Sequence, residues 1–476
     1  MFLFIQTRFF KAMSFVLMVL ALGACSSAPP PLEPTFEQNW RGNTVKGKVA
    51  IIPDGKQALA ERIRMVEQAE EYVLLEYFSW DNDLSGANLY QALIDASLRG
   101  VEIKLILDDL LVFNNPWIRE LAAQDNFEIK IFNPFASRKI GWFGRMFDFQ
   151  FNKRRLNYRL HEKLLLVDGN TMITGGRNIG DSYFGYSEKA NFFDLDIKLK
   201  GAALAQFEDN FYQLYHSEHL VDAQELLGKP KQAKPSRFAS DYQKLKLARP
   251  EVQAEIANSV SQQSDLDYHQ VQLTPVFDEL DKLADKKAYF RVRLQRELDR
   301  QVPQIRSLLV STPYLMPNAN GYNALQAYAD KGSELTVITA SRAGSDSAFV
   351  DAYYSQYRED LVDLTEQLLE YQPLREKADK TKHYFHAKVL IANDSCSYVG
   401  SSNFDPRSDH LNMEFGLLIC GESLATELHN YLVADMQQKY WQVIRDQQGQ
   451  VQWRRGAEVK TKPPGTTSLS RSIDKV

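Results

Sequence analysis

Two stretches of this 476-residue chain carry the same chemistry in the same order. His161-Glu162-Lys163 runs into the apolar Leu164-Leu165-Leu166-Val167 and reaches Asp168, and Gly175-Gly176-Arg177-Asn178 follows. His386-Ala387-Lys388 runs into Val389-Leu390-Ile391-Ala392 and reaches Asn393, and Gly400-Ser401-Ser402-Asn403 follows at the same spacing. On a strand, residues two apart share a face, so each His-x-Lys presents an imidazole and an ammonium together. The glycines let a neighbouring turn approach closely, and Asn178 and Asn403 add amide donors. Brought together about a pseudo-twofold axis, the copies surround one space with two histidines, two lysines and two asparagines. Lysines and amides make a cradle for phosphate. One histidine can attack phosphorus while the other protonates the leaving oxygen. The reading calls for no metal and no cofactor, because the lysines neutralise the oxyanions and the motifs lack the carboxylates a magnesium or calcium site needs.

Each histidine also needs a carboxylate on its second ring nitrogen to fix the tautomer. Phe192-Phe193-Asp194-Leu195-Asp196 offers two acids on one strand face, and Glu414 stands in Leu411-Asn412-Met413-Glu414-Phe415-Gly416.

The elements that must hold these residues also occur twice. Val73 to Phe78 reads as a buried strand, a helix runs around Leu89 to Arg99 and stops at Gly100, and Val101 to Leu107 is a strand. Leu308 to Val310, a helix around Gly321 to Lys331 stopped by Gly332, and Leu335 to Ile338 repeat the order. Such units predict an α/β fold of two similar sandwich domains, each a mixed sheet flanked by helices. The expected division is a cleaved signal 1–24, a tether 25–45, a first domain 46–220, a linker region 221–280, a second domain 281–450 and a disordered tail 451–476. Residues 221–250 read as a Lys-, Gln- and Pro-rich connection, and 281–300 as a solvent-facing helix.

The duplicated pattern resembles the phospholipase D superfamily, whose signature is His-x-Lys-x4-Asp with a downstream Gly-x-x-Asn. The resemblance covers about 50–445. It implies catalytic roles for His161, Lys163, Asp168, His386, Lys388 and Asn393, with phosphate binding by Asn178 and Asn403. It implies that Asp194 and Glu414 orient the histidines. Asn393 departs from the pattern, which has Asp there. In the family that acid mainly supports a loop, and the neighbouring Asp394 is a candidate substitute. The stretches Gly175 to Phe184 and Asn403 to Ser408 are similar to those of bacterial cardiolipin synthases, closest to the C type.

The N-terminus resembles a bacterial lipoprotein signal. Arg8 and Lys11 precede an apolar run, Met13 to Leu22, too short for a full membrane span, and Leu22-Gly23-Ala24-Cys25 resembles a lipobox. That implies lipidation of Cys25 and an outer-membrane anchor facing the periplasm. Cys396 and Cys420 are then either a disulfide or two buried thiols. Between Ser137 and Leu160, seven basic residues stand against one acid, Asp148, with Trp142, Phe143, Met146, Phe147, Phe149 and Phe151 between them. That mixture suits anionic headgroups at a membrane surface, a nucleic-acid phosphate track, or a loop packed on the core. The formal net charge of −5 argues against a dedicated nucleic-acid binder, and no nucleic-acid partner is expected.

The reaction implied is transfer of a phosphatidyl group to phosphatidylglycerol, from phosphatidylethanolamine or a second phosphatidylglycerol, through a phosphatidyl-histidine. Family order makes His161 the nucleophile, although the symmetry of the site leaves either histidine open. The alternatives are a secreted phospholipase D or nuclease using water, and a non-catalytic lipid-binding scaffold.

Overall fold

The computed structural model describes residues 33–112, 115–138, 141–228, 236–376 and 378–465. Cys25 and the signal segment lie outside the described residues, as does the stretch 466–476.

Each half contributes a mixed sheet of the same design. In the first, Phe127–Phe132, Glu102–Asp108 and Tyr72–Tyr77 run parallel, and Leu164–Val167, Thr171–Gly175 and Asp196–Gly201 continue antiparallel. In the second, Gln367–Tyr371, Glu334–Ala340 and Ser307–Ser311 run parallel, followed by Val389–Ala392, Cys396–Gly400 and Phe415–Cys420. Val45–Ile52 closes the first sheet and His269–Phe277 the second, and these two strands pair antiparallel with Gly47 opposite Val271. The two sheets are therefore one continuous ladder about a pseudo-twofold axis. It ends at Leu220–Asp222 and at Glu458–Lys460, so it stays open.

The strands are apolar on both faces because both faces are covered. Helices Gly55–Glu67 and Leu84–Leu98 cover the outer face of the first sheet, and Tyr289–Gln301 and Ala319–Ala329 that of the second. Ala203–Tyr215 and Glu422–Val433 fill the space between the sheets, with Phe207, Phe211, Leu428 and Leu432 buried among strand residues of both halves. The helices start where a side chain can replace missing backbone bonds. Asp83 accepts from Gly86 N ahead of Leu84–Leu98, and Asn318 accepts from Gly321 N ahead of Ala319–Ala329. Gly100 (φ 97°) and Gly332 (φ 85°) turn the chain out of these helices in the left-handed region that favours glycine.

Three sequence expectations change. The linker region 221–280 is built structure: helices Arg237–Ala248 and Pro250–Ser261 bury Phe238, Tyr242 and Ile256 in the first core, and His269–Phe277 is a ladder strand. A few well-spaced apolar residues suffice to dock a helix whose other positions are Lys and Gln. The helix Tyr289–Gln301 is not simply solvent-facing. It buries Phe290, Arg293, Glu297 and Leu298, and Arg293 Nε meets Glu37 Oε2 at 2.8 Å. The tail is ordered as far as residue 465: Val451–Arg455 and Glu458–Lys460 form a hairpin, and buried Trp453 donates from Nε1 to Glu370 Oε2 at 2.9 Å. Cys396 and Cys420 face each other in antiparallel register and are joined by a disulfide.

Candidate active site

The two motifs meet through a pair of very short parallel strand pairings between the halves. Arg159–Leu160, just ahead of His161, pairs with Asn412–Met413, just ahead of Glu414. Lys382–Phe385, just ahead of His386, pairs with Ala190–Phe193, just ahead of Asp194. The backbone continues the match: His161 N donates to Met413 O at 3.0 Å, and His386 N to Phe193 O at 2.8 Å.

This exchange decides which acid serves which histidine. His161 Nδ1 lies 3.0 Å from Glu414 Oε2, and His386 Nδ1 lies 2.5 Å from Asp194 Oδ2. Each histidine thus takes its carboxylate from the opposite half. Asp196, the other candidate, instead faces Arg62 at 2.9 Å and Arg177 at 3.3 Å. Gly176 makes room for the exchange, because a Cβ there would lie 2.2 Å from Asp194 Oδ1.

Glu414 is held by residues the motif did not single out. Ser401 Oγ donates to its Oε2 at 2.5 Å, Ser408 Oγ to its Oε1 at 2.7 Å and Asn412 Nδ2 to Oε1 at 3.2 Å. Ser401 lies inside Gly400-Ser401-Ser402-Asn403, so its position was visible but its partner was not. Phe78 packs on the His161 ring at 5.4 Å, and Phe192 and Tyr183 pack on His386 at 5.2 and 5.6 Å.

The lysines are as buried as the histidines. Lys163 Nζ donates to His161 O at 2.5 Å, and Lys388 Nζ to His386 O at 2.7 Å. Both motif pairs sit in extended backbone immediately before their strands rather than within them. Burial, with help from the two lysines, pushes His161 down to about 4 and His386 to about 3, although the carboxylates pull the other way. Burial, with the charge of Lys388 adding to it, brings Lys163 down to about 7, and burial brings Lys388 down to about 8 against the pull of Asp194 and Glu414. That each lysine acts on the opposite histidine places the half-sites around one space. Burial raises Glu414 and Asp194, but their histidines and the lysines outweigh it and hold both low. At neutral pH the carboxylates are charged and the imidazoles neutral. Each imidazole donates from Nδ1, leaving a lone pair on Nε2. The site holds two neutral imidazole nucleophiles beside two lysines that can meet an anion.

Asn178 and Asn403 are both buried. Asn178 Oδ1 accepts from Ser79 N at 3.3 Å, and its Nδ2 donates to the Tyr183 hydroxyl at 3.0 Å. Asn403 N donates to Ser408 Oγ at 3.1 Å.

Asp168 and Asn393 do not join this cluster, and grouping them with the catalytic residues is corrected here. Both brace loops from left-handed backbone, at φ 51° and 54°. Asp168 accepts from the backbone of Glu70, Glu71 and Tyr72 at 2.8–2.9 Å. Asn393 Oδ1 accepts from Arg306 N at 2.8 Å and Ser307 N at 3.1 Å, while its Nδ2 donates to Gln304 O at 2.8 Å. The amide serves because its loop presents a carbonyl that a carboxylate could not bond. Asp394 does not substitute for the missing acid: its Oδ1 pairs with His429 Nδ1 at 2.6 Å.

The basic cluster is partly spent on structure. Arg138 pairs with Asp109 and Arg159 with Asp108, while Arg145 donates to Leu110 O. Arg155 donates to Asn133 Oδ1 at 2.7 Å and Pro134 O at 3.0 Å, Lys139 lies outside the described residues, and Lys153 and Arg154 are exposed. They follow the helix Gly141–Phe151, which buries Phe149 but exposes Phe143, Phe147 and Phe151 at successive turns. No helix among the described residues is long and apolar enough to cross a membrane.

The family model for the cardiolipin synthase, phospholipase D-like domain matches residues 63–215 and 303–436, one span per half. The chain belongs to this family. Cardiolipin synthase C of Escherichia coli is 30% identical over 430 residues, covering 86% of this chain and 89% of that protein. The major cardiolipin synthase of Bacillus subtilis is 25% identical over 405 residues, covering 83% and 70%. Among solved structures, phosphatidylserine synthase of Haemophilus influenzae shares the fold at a TM-score of 0.57 and 14% identity, covering 85% of this chain and 91% of that one. Family and relatives make the chain a phosphatidyltransferase of the phospholipase D superfamily.

Proposed function

We propose that the chain makes cardiolipin by moving a phosphatidyl group from a donor phospholipid to the hydroxyl of phosphatidylglycerol. The observation that carries this reading is the crossed pair of histidine–carboxylate contacts facing one space with two buried lysines. A phosphodiester anion seated there is neutralised by Lys163 and Lys388 and raises the proton affinity of the histidine beside the leaving oxygen. With the anion bound, His386 takes up a proton on Nε2; His161 Nε2 then attacks phosphorus, the bond to the leaving alcohol breaks, and His386 gives that oxygen its proton. His386 then takes the proton from the incoming hydroxyl as its oxygen attacks phosphorus, and the phosphorus–nitrogen bond breaks. The donor is phosphatidylglycerol, releasing glycerol, or phosphatidylethanolamine, releasing ethanolamine.

The enzyme works at a membrane surface as an envelope lipoprotein anchored through Cys25 and facing the periplasm. The exposed Phe143, Phe147 and Phe151 beside Lys153 and Arg154 support contact with an anionic bilayer. The Cys396–Cys420 disulfide fits an oxidising compartment.

The test is purified protein on vesicles of phosphatidylglycerol, with and without phosphatidylethanolamine, read by mass spectrometry. Cardiolipin is the expected product, and its dependence on phosphatidylethanolamine names the donor. Phosphatidic acid alone would overturn the synthase reading in favour of water as acceptor. Full activity in His161→Ala would overturn the covalent mechanism.

A further inference from the structure

The two halves are alike at the motifs but not behind them. In the first half, the space between sheet and outer helices is filled by aromatics. Tyr77 meets Trp80 edge-on at 5.6 Å, Trp80 stacks on Tyr90 at 4.1 Å, and Tyr90 meets Trp117 at 6.2 Å. The helix N-caps Asp83 and Asn318 are equivalent. Aligning them puts Thr312 where the first half has Tyr77, Leu315 where it has Trp80, and Leu325 where it has Tyr90.

These smaller side chains leave a half-open cavity of about 110 Å³. Leu294, Leu298, Leu308, Val310, Leu325 and Tyr328 line its apolar body, between the helices Tyr289–Gln301 and Ala319–Ala329 and the sheet. Its lining from Leu308 to Thr312 follows an extended segment about 13 Å long at ~3.3 Å per residue. At one end it is bounded by Lys388, Ser402 and Asn403 and is therefore continuous with the second half-site. Asn403 is only 6% exposed, and its Oδ1 has no hydrogen-bond partner among the described residues. A void walled by leucines forfeits dispersion contacts unless something apolar enters it.

We propose that this cavity receives one acyl chain of the phospholipid bound in the second half-site, so that the lipid is held by its tail as well as its phosphate. The inference rests on the phosphatidyl-transfer reading for the identity of its occupant. The apolar body suits alkyl groups, and the polar end meets the chain where the glycerol and phosphate begin. In the first half Tyr77, Trp80 and Tyr90 occupy the corresponding positions, so the two half-sites, equal in catalytic groups, differ in what they grip.

Ala324→Trp fills the cavity from the helix without replacing any group of the site. Two readouts are needed. In direct binding, cis-parinaric acid should fluoresce on the wild-type protein, be displaced by long-chain phosphatidylglycerol, and bind Ala324→Trp weakly. In kinetics, kcat/KM for long-chain phosphatidylglycerol should fall about tenfold or more, the equivalent of losing about two methylenes from an apolar site. Turnover of soluble bis(p-nitrophenyl) phosphate should not change. Leu308→Trp, which blocks the far end, should reproduce the pattern if the first variant folds poorly. Equal losses on both substrates, or no loss on either, would overturn the acyl-site proposal. So would absent probe binding in the wild type, while leaving the transferase reading intact. Failure to make cardiolipin, with the probe still displaced by phospholipid, would instead overturn only the product assigned above.

Discussion

Asn393 shows how a motif position can change type and keep its work. Its carboxamide bonds two backbone amides and one carbonyl, where Asp168 bonds three amides. Asn393→Ala is expected to cost about 1 kcal/mol of stability, as loss of a helix cap does, with little change in kcat. Thermal melting and a single activity assay check this. Glu414 behaves differently because it touches a reacting histidine. Glu414→Gln removes the charge that supports imidazolium and should cut kcat by about 10²–10⁴-fold with little change in the melting curve. The lysines set a pH limit. Anion binding needs them protonated, and they sit near about 7 and 8, so inhibition by inorganic phosphate should weaken as pH rises through that range. A phosphate inhibition constant that is flat from acid to alkaline pH would contradict this. Beneath His161, burial pushes Glu76 up to about 7 and Glu162 well above its ordinary value, each beside the other. Between an unfolded value near 4.5 and that raised one, the folded state holds protons the unfolded state has released. Stability therefore falls as pH rises across that window. Glu76→Gln should flatten this loss, measured as melting temperature against pH. The motif residues were legible because each set is contiguous and repeated. The roles of Ser401 and Ser408 were not, because a serine's partner is decided by folding.

At the scale of elements, the decisive pieces are the smallest. Arg159–Leu160 with Asn412–Met413, and Lys382–Phe385 with Ala190–Phe193, aim four catalytic and positioning side chains. Strands of two to four residues leave no periodic trace, so both acids were legible from the sequence while their exchange was not. The ordered segments 236–280 and 451–460 were missed for a related reason. Their polar faces dominate the composition, and only a few residues such as Phe238, Ile256 and Trp453 are buried. The helix Gly141–Phe151 gives a prediction of its own. Phe147→Asp with Phe151→Asp should reduce sedimentation with phosphatidylglycerol vesicles severalfold, since each exposed phenyl contributes up to about 1.5–3 kcal/mol when buried. Hydrolysis of a soluble phosphodiester should be unaffected. Equal vesicle binding by the double variant would remove this helix from the membrane contact.

The whole molecule is two copies of one sheet run together through Val45–Ile52 and His269–Phe277, with the active site on the same axis. The repeated strand–helix–strand order made this architecture legible from the sequence, because each copy carries its own glycine stop and its own motif. The exchanged acids have a consequence for how the chain comes into being. A ribosome that has released only the first half has made His161 without Glu414, and Asp194 without His386. The His161 imidazole is then not held in its working tautomer. Both histidine–carboxylate pairs are complete only once the last quarter of the chain is in place, so an incomplete polypeptide lacks the assembled site.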